Sequence, residues 1–306
     1  MITKPYTERE PLRLSVTARI LRFFSTALLV LFCTSAAAGL YFWHSLPNVS
    51  PLSDTQTSIT ITVRDWEGQE QPFVLGPRNP DWTPFEQFPE YLPWAVIVAE
   101  DGAFYKHRGF DPEAMREALL YDLEQKRLAR GASTITQQLA KNIYLSREKT
   151  LMRKIRELAI AWQLEKHLSK ERILELYLNL VELGPMIHGM TAGARYHHEK
   201  PVSALSAAES SYLAAILPGP RVAFNPEKNP IRVRKRADQL LYYMLLRREI
   251  SDRDYFLARE ETSYLSGEED RPVVDPYRAV HVLQVSPDTD RITGNSNHPP
   301  WHLPPG

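Results

Sequence analysis

The sequence predicts a mainly α-helical protein with one N-terminal transmembrane helix and a short β element before its main domain. Three observations predict this fold class. An uncharged apolar run lies near the N-terminus, a short segment of alternating residues follows it, and apolar residues then recur at helical spacing from Trp94 to about Ile250. The 306 residues are enough for one large domain or two small ones.

Residues 23–43 form the predicted transmembrane helix, because roughly 21 residues without a formal charge can span a bilayer. Basic residues precede it at Lys4, Arg9, Arg13, Arg19 and Arg22, and no further Lys or Arg occurs before Arg64. The positive-inside rule then predicts residues 1–22 in the cytoplasm and the chain after the helix outside. A signal peptide cleaved near Ala36-Ala37-Ala38 is the alternative, and the continuation of the run to Trp43 favours the uncleaved anchor.

Composition leaves the class of partner open. Lys plus Arg number 37, as do Asp plus Glu, so net charge argues neither for nor against nucleic acid and any cationic site must be local. The single cysteine, Cys33, lies in the apolar run and excludes an intrachain disulfide.

Residues 44–92 are predicted as a linker with a short β or irregular segment. Ser58 to Trp66 alternates Ile, Thr and Val, and Glu67-Gly68 follows as a turn. Helices are expected around Met115–Leu123, Ile135–Ile143, Leu151–Trp162, Ile173–Val181, Ala204–Leu217 and Arg232–Ile250. Ser169 is the predicted N-cap of the fourth helix, and Gly184-Pro185 its stop. Residues 251–306 are predicted as a C-terminal extension, partly disordered, because the chain becomes acidic and then proline-rich after Ser266.

Chemistry concentrates in two stretches. Glu100 ends an apolar run from Trp94 to Ala99, which would bury a carboxylate and suit it to act as a base. In the helix after Gly131, the residues Ser133, Gln137 and Lys141 are spaced i, i+4, i+8 and share a face. An amphipathic helix with a solvated polar face is the alternative interpretation. His107 is expected to be a hydrogen-bonded structural residue, since no histidine stands at zinc-like spacing from it.

Two further patterns carry alternatives. Arg153 and Glu157, at i and i+4, can form a surface ion pair. In the functional alternative, Arg153 forms a cationic clamp with Lys149 and Lys154, and Glu157 is a second carboxylate. The stripe of Met115, Leu119 and Leu123 is bordered by Lys126, Arg127 and Arg130. Packing on the core and contact with the outer leaflet explain this stripe equally well.

Four ordered blocks resemble the family 51 glycosyltransferases, which polymerise peptidoglycan, from about Pro93 to Pro226. The blocks are Glu100-Asp101 with Phe104, His107, Gly109 and Asp111; Gly131 with Ser133 to Gln138, Lys141 and Asn142; Arg153, Lys154 and Glu157; and Lys170 with Ile173 to Glu175 and Tyr177 to Asn179. The resemblance implies a lysozyme-like two-lobed glycosyltransferase domain over residues 93–250. The short flanking sequence favours the monofunctional biosynthetic transglycosylases over the bifunctional penicillin-binding proteins.

The resemblance implies that an acceptor sugar hydroxyl attacks the anomeric carbon of a lipid-linked disaccharide-peptide (lipid II), releasing polyprenyl pyrophosphate. Glu100 would take the proton, and Glu157 matches the second essential carboxylate of the family. The implied substrate-binding residues are Asp101, Phe104, Ser133, Thr134, Gln137, Gln138, Lys141, Lys149, Arg153 and Lys154. A divalent cation, Mg²⁺ or Mn²⁺, is left open as a cofactor, and no organic cofactor is expected.

The implied partners are lipid II, the growing glycan chain and the membrane, with other cell-wall synthesis proteins left open and no nucleic acid. The implied location is the bacterial inner membrane, crossed once, with the N-terminus inside and the catalytic domain in the periplasm. A lytic transglycosylase and a non-catalytic precursor-binding scaffold remain alternatives. The chain departs from the family at His188 and at His197-His198-Glu199, where Glu in place of Gly predicts a different local turn.

Overall fold

The computed structural model describes residues 16–65, 67–125, 132–146, 148 and 150–266, and it divides into two compact units on either side of the Pro47–Asn48 bond. The described part of the first unit contains one helix, α1 (Val16–His44). Its stretch Ile20–His44 is long and apolar enough to cross a membrane. The predicted span of residues 23–43 lies within it.

The second unit opens with a β-hairpin of β1 (Ile59–Arg64) and β2 (Glu70–Leu75). The strands are antiparallel, in a register that pairs Ile59 with Leu75 and Arg64 with Glu70. This confirms the predicted short β element. Arg221 fastens the hairpin end by donating to the backbone oxygens of Arg64 and Asp65 at 2.7 and 2.8 Å.

The helices that follow are short and closely connected. In chain order they are α2 (Tyr91–Glu100), α3 (Pro112–Gln125), α4 (Ile135–Tyr144), α5 (Leu151–His167), α6 (Lys170–Leu178), α7 (Met190–His198), α8 (Ala207–Ile216), α9 (Pro230–Leu246) and α10 (Asp252–Ser266), with β3 (Glu182–Gly184) and β4 (Ile187–His188) pairing between α6 and α7. The fold is therefore mainly helical, as the sequence predicted.

Two groups of helices form the core. The first is α2, α8, α9 and α10, in which α8 contacts the other three. The second is α4, α5 and α6, which pack on one another. Glu100 lies at the end of α2, and α4 begins with a backbone N–H that is bonded to the next residue, Asp101. The candidate catalytic carboxylate therefore lies where the two groups meet.

The structure confirms the predicted start of α6 and contradicts its predicted end. Ser169 caps α6 by accepting from the Arg172 N–H at 3.2 Å, which confirms the predicted N-cap. The helix ends at Leu178 rather than at Gly184-Pro185, because the chain from Glu182 to His188 pairs as β3 and β4. The helix α10 lies within the predicted C-terminal extension, where the sequence analysis did not predict a helix. Residues 267–306 of that extension lie outside the described residues.

The helix α3 exposes its apolar stripe. Leu119 and Leu123 are 61% and 66% exposed, and Met115 is 37% exposed. The interpretation that this stripe packs on the core is wrong for the described residues. Its predicted basic border, Lys126, Arg127 and Arg130, lies outside them.

Candidate functional site

Glu100 is the last residue of α2, and its carboxylate is largely withdrawn from solvent. Its Oε2 accepts a hydrogen bond of 2.8 Å from Gln138 Nε2, and the amide oxygen of Gln138 accepts one of 3.0 Å from the Tyr177 hydroxyl. Burial raises the pKa of Glu100 above its ordinary value, and the Gln138 bond and the charges of Arg236 and Lys141 offset part of that rise. A carboxylate with a raised pKa accepts a proton more readily, which suits a general base.

Asp101 ties the end of α2 to the start of α4. Its buried carboxylate accepts from the backbone N–H of Ile135, the first residue of α4, at 3.0 Å, and it contacts His107 Nε2 at 2.9 Å. The first N–H groups of a helix have no partner within the helix, and the helix dipole favours a negative charge there. Asp101 therefore fixes α4 beside Glu100, and the prediction that His107 is a hydrogen-bonded structural residue is confirmed.

Thr134 and Gln137 form a capping box at the start of α4. The Thr134 hydroxyl accepts from the Gln137 N–H, and Gln137 Oε1 accepts from the Thr134 N–H, both at 3.2 Å. The same hydroxyl donates to the Gly109 backbone oxygen at 2.7 Å. Gly109 has a φ of +92°, and a Cβ there would lie 3.0 Å from the Ala161 oxygen, so the loop that receives this bond requires glycine.

Three of the expected substrate contacts lie in the interior of the protein. Thr134 and Gln137 are buried by their capping bonds, and Phe104 has no exposed surface. Lys170 Nζ lies 4.4 Å from the centre of the Phe104 ring and also donates a hydrogen bond of 2.7 Å to Glu165. These side chains, with Asp101, shape the site from within the core, and their direct contact with substrate stays a prediction.

Glu157 is buried on α5 between two cations. Its oxygens accept from Arg153 Nη1 at 2.6 Å and from Lys154 Nζ at 2.5 Å. Lys154 Nζ also donates to Ser133 Oγ at 2.9 Å. The interpretation of Arg153 and Glu157 as a surface ion pair is therefore wrong, because the carboxylate is only 3% exposed.

The helix α4 links the two glutamates. Gln138 bonds Glu100, while Ser133, just before the helix, meets the Lys154 that bonds Glu157. The prediction that Ser133, Gln137 and Lys141 share a polar face is wrong for Gln137, because that side chain is buried. Gln138 is the amide that reaches the site, where it bonds Glu100. Lys141 is exposed on the same helix. Lys149 lies outside the described residues.

Two positions near residues 188 and 199 have unusual backbone conformations. Glu199 has a φ of +56° and ends α7 in the left-handed conformation that glycine favours. His188 Nδ1 lies 3.3 Å from the Leu180 oxygen, and the next residue, Gly189, has a φ of +85°. A Cβ on Gly189 would approach the Asn179 oxygen to 2.9 Å.

Sequence reasoning missed two residues of the site. Tyr177 was placed in a sequence block without a role, and it orients the Gln138 amide. Arg236, on α9, lies with Nη2 4.0 Å from Glu100 Oε1. Nothing near Arg236 in the sequence indicates this contact, because α9 is brought to α2 by the packing of the core.

Two acidic groups of the site, Glu157 and Asp101, are already engaged by other partners. Both oxygens of Glu157 accept from cations, and both Asp101 oxygens are engaged by Ile135 and His107. Divalent cations such as Mg²⁺ require several oxygen ligands. No group of three His, Cys, Asp or Glu side chains that could hold a metal occurs within the described ranges. We therefore assign no reaction step to a metal.

Comparison with known proteins assigns the region that carries these residues to one family. Residues 69–245 match the family model described as transglycosylase. The chain is 38% identical over 227 residues to penicillin-binding protein 1A of Neisseria gonorrhoeae, covering 74% of this chain and 28% of that protein. It is 44% identical over 154 residues to a biosynthetic peptidoglycan transglycosylase of Nitrosomonas eutropha, covering 50% of this chain and 63% of that protein. The chain thus spans less than two thirds of the length of either relative.

Proposed function

Because the chain belongs to the transglycosylase family, we propose that it polymerises lipid-linked disaccharide-peptide units into the glycan strands of peptidoglycan. The observation that carries the proposal is the pair of carboxylates joined through α4. Glu100 is buried and accepts one neutral hydrogen bond from Gln138, while Glu157 holds two cations. One group suits proton transfer, and the other organises positive charge for a phosphorylated leaving group.

In the proposed reaction the acceptor's sugar hydroxyl attacks the anomeric carbon of the donor from the face opposite the leaving group. A new carbon–oxygen bond forms, the bond to the pyrophosphate oxygen breaks, and the hydroxyl proton passes to Glu100. The departing polyprenyl pyrophosphate carries the negative charge away from the sugar. Arg153, Lys154 and Lys141 would stabilise that charge, and Ser133 would bind the donor head group beside Lys154.

We place the reaction at the outer face of the bacterial inner membrane, where a lipid-linked substrate and an anchored enzyme meet. The apolar helix α1 supports an anchor, and the basic residues before it support a cytoplasmic N-terminus and a periplasmic catalytic unit. The exposed leucines of α3 support a second contact, in which this stripe enters the outer leaflet and brings the site to the lipid substrate.

The test compares wild type with Glu100→Gln in detergent, supplied with lipid-linked disaccharide-pentapeptide, with the products separated by gel. Glu249→Gln is the matched control, because burial also raises the pKa of Glu249 and that residue lies outside the site. We expect polymer from wild type and from Glu249→Gln, and a loss of at least about 100-fold in Glu100→Gln. Shortening of added glycan strands, without polymer, would instead establish a lytic enzyme.

A further inference from the structure

A buried cation lies against the end of α2 that carries Glu100. Arg236 Nη2 donates to the Ala99 backbone oxygen at 3.1 Å, and the same nitrogen is 4.0 Å from Glu100 Oε1. The Arg236 side chain is 17% exposed, and its buried Nε has no hydrogen-bond partner in the part of the chain that the structure describes. A guanidinium with an unfilled donor is costly to bury unless a negative charge compensates it. The carboxylate that faces it is Glu100.

An aromatic ring holds this guanidinium in place. The Arg236 Cζ lies 5.3 Å from the centre of the Phe224 ring, a distance at which the ring's negative face attracts a cation. Arg232, one turn earlier on α9, lies 4.8 Å from the same ring and is exposed. The two arginines share the ring, but Arg236 is the one that bonds the end of α2.

The two oxygens of Glu100 are treated differently by their surroundings. The neighbouring groups are Asp101 beyond the end of α2, Gln138 and Lys141 on α4, and Arg236 on α9. Gln138 occupies Oε2 with a hydrogen bond. Arg236 faces Oε1 from a distance too long for a hydrogen bond, so it acts on that oxygen through its charge alone. Oε1 can therefore still accept a proton.

Resting on the proposed function, we infer that Arg236 is a positioning residue of the polymerisation reaction. It keeps Glu100 ionised and fixes the end of α2, so that Oε1 is ready to take the proton of the acceptor hydroxyl. Arg236 acts through Glu100 and does not touch the substrate. Its charge opposes the effect of burial, which by itself would leave Glu100 protonated at a higher pH.

The test separates the charge of Arg236 from its hydrogen bond. Arg236→Gln keeps a donor for the Ala99 oxygen and removes the charge, whereas Arg236→Lys keeps the charge and loses the planar fork. Arg232→Gln is the matched control on the same ring. For each protein kcat/KM is measured against pH, because its acid limb reports the ionisation of the free enzyme's base.

In Arg236→Gln we expect the acid limb to move to higher pH by about one unit, the low end of what an opposite charge at this distance produces. Activity should fall about tenfold on the acid side and recover at alkaline pH. The limb should stay at the wild-type position in Arg236→Lys and in Arg232→Gln. A purely structural role for Arg236 predicts a loss that is equal at every pH, and that result would overturn the inference.

A second readout does not depend on activity. In full-length protein carrying ¹³C-labelled glutamate carboxyls, the Glu100 resonance is assigned by its loss in Glu100→Gln and then titrated. Its midpoint should rise in Arg236→Gln and stay in place in Arg236→Lys; an unmoved midpoint in the first, or a raised one in the second, refutes the inference. Should Arg236→Gln not fold, Arg236→Met takes its place, because it also removes the charge and keeps an apolar stem; its midpoint should rise in the same way, and an unmoved midpoint refutes the inference. A wild type that makes no polymer would refute the proposed function, while this titration would still test the role of Arg236.

Discussion

Replacing Glu157 by Gln removes a buried negative charge and keeps the size of the side chain. In the protein both Glu157 oxygens accept from cations, at 2.6 Å from Arg153 and 2.5 Å from Lys154, and the side chain is 3% exposed. Breaking a fully buried ion pair costs about 3–5 kcal/mol, because a charge is left unpaired. Lys154 is 35% exposed and can turn toward water. We therefore expect Glu157→Gln to lower the free energy of unfolding by about 2–3 kcal/mol.

Thermal unfolding of the full chain in detergent measures this cost. A loss of 2–3 kcal/mol corresponds to a fall in Tm of about 5–10 °C for a unit of this size. The double variant Arg153→Met with Glu157→Gln should regain about 1 kcal/mol or more relative to the sum of the single changes, since it leaves one fewer unpaired charge. Glu70→Gln is the matched control, because Arg64 and Glu70 also form an arginine–glutamate ion pair, and both of their side chains are exposed.

The activity of Glu157→Gln completes this test. At a temperature where the variant is folded, we expect polymerisation to fall by about 100-fold or more, because Arg153 and Lys154 are no longer held toward the leaving group. A melting temperature that matches that of Glu70→Gln, together with normal polymerisation, would falsify the assignment of Glu157 as the organiser of this charge.

Three further outcomes follow from the same geometry. Lys154→Met should lower kcat/KM for the lipid-linked substrate by about 100-fold, because it removes a charged donor beside Ser133; steady-state kinetics check this, with Lys166→Met on the same helix as the control. Glu100→Gln should be more stable than wild type at neutral pH. The folded pKa of Glu100 is raised by burial, so ionisation destabilises the fold as pH rises, and the difference should vanish in acid, which melting curves at several pH values would show. Leu119→Asp with Leu123→Asp should raise KM for the substrate in reconstituted bilayers by about tenfold or more without changing Tm, since both leucines are exposed; Leu257→Asp, on the exposed face of α10, should leave KM unchanged.

Local signals in the sequence predicted most helices and the β-hairpin. One such signal, a helix cap, was interpreted as a substrate-binding motif. The hydroxyl of Ser169 predicted the start of α6, because capping depends on a few adjacent residues. Thr134 and Gln137 carry the same kind of signal, the Thr-x-x-Gln pattern of a capping box, but their place in a family block led to a prediction of substrate binding. A block of similar residues does not separate those that face a ligand from those that build the helix.

Long-range contacts explain what sequence patterns did not reveal. Glu100 and Glu157 were both predicted as catalytic, yet their surroundings depend on residues distant in the chain, such as Tyr177 and Arg236. The exposed stripe of α3 has the same periodicity as a core-facing helix, and its exposure depends on whether another helix covers it. Periodicity identifies a face, whereas tertiary packing decides what that face meets.

The pairing of Glu157 with two cations also bears on product release. Arg153 and Lys154 together carry two positive charges and Glu157 one negative charge, so the cluster presents a net charge of about +1 to a pyrophosphate. Without the carboxylate, the cluster would bind both the leaving group in the transition state and the free pyrophosphate product more tightly. Tighter binding of the product slows its release. Inorganic pyrophosphate should therefore bind Glu157→Gln more tightly than wild type in calorimetry, even though the variant polymerises more slowly. Equal or weaker binding would mean that Glu157 orients the two cations without moderating their hold on the product.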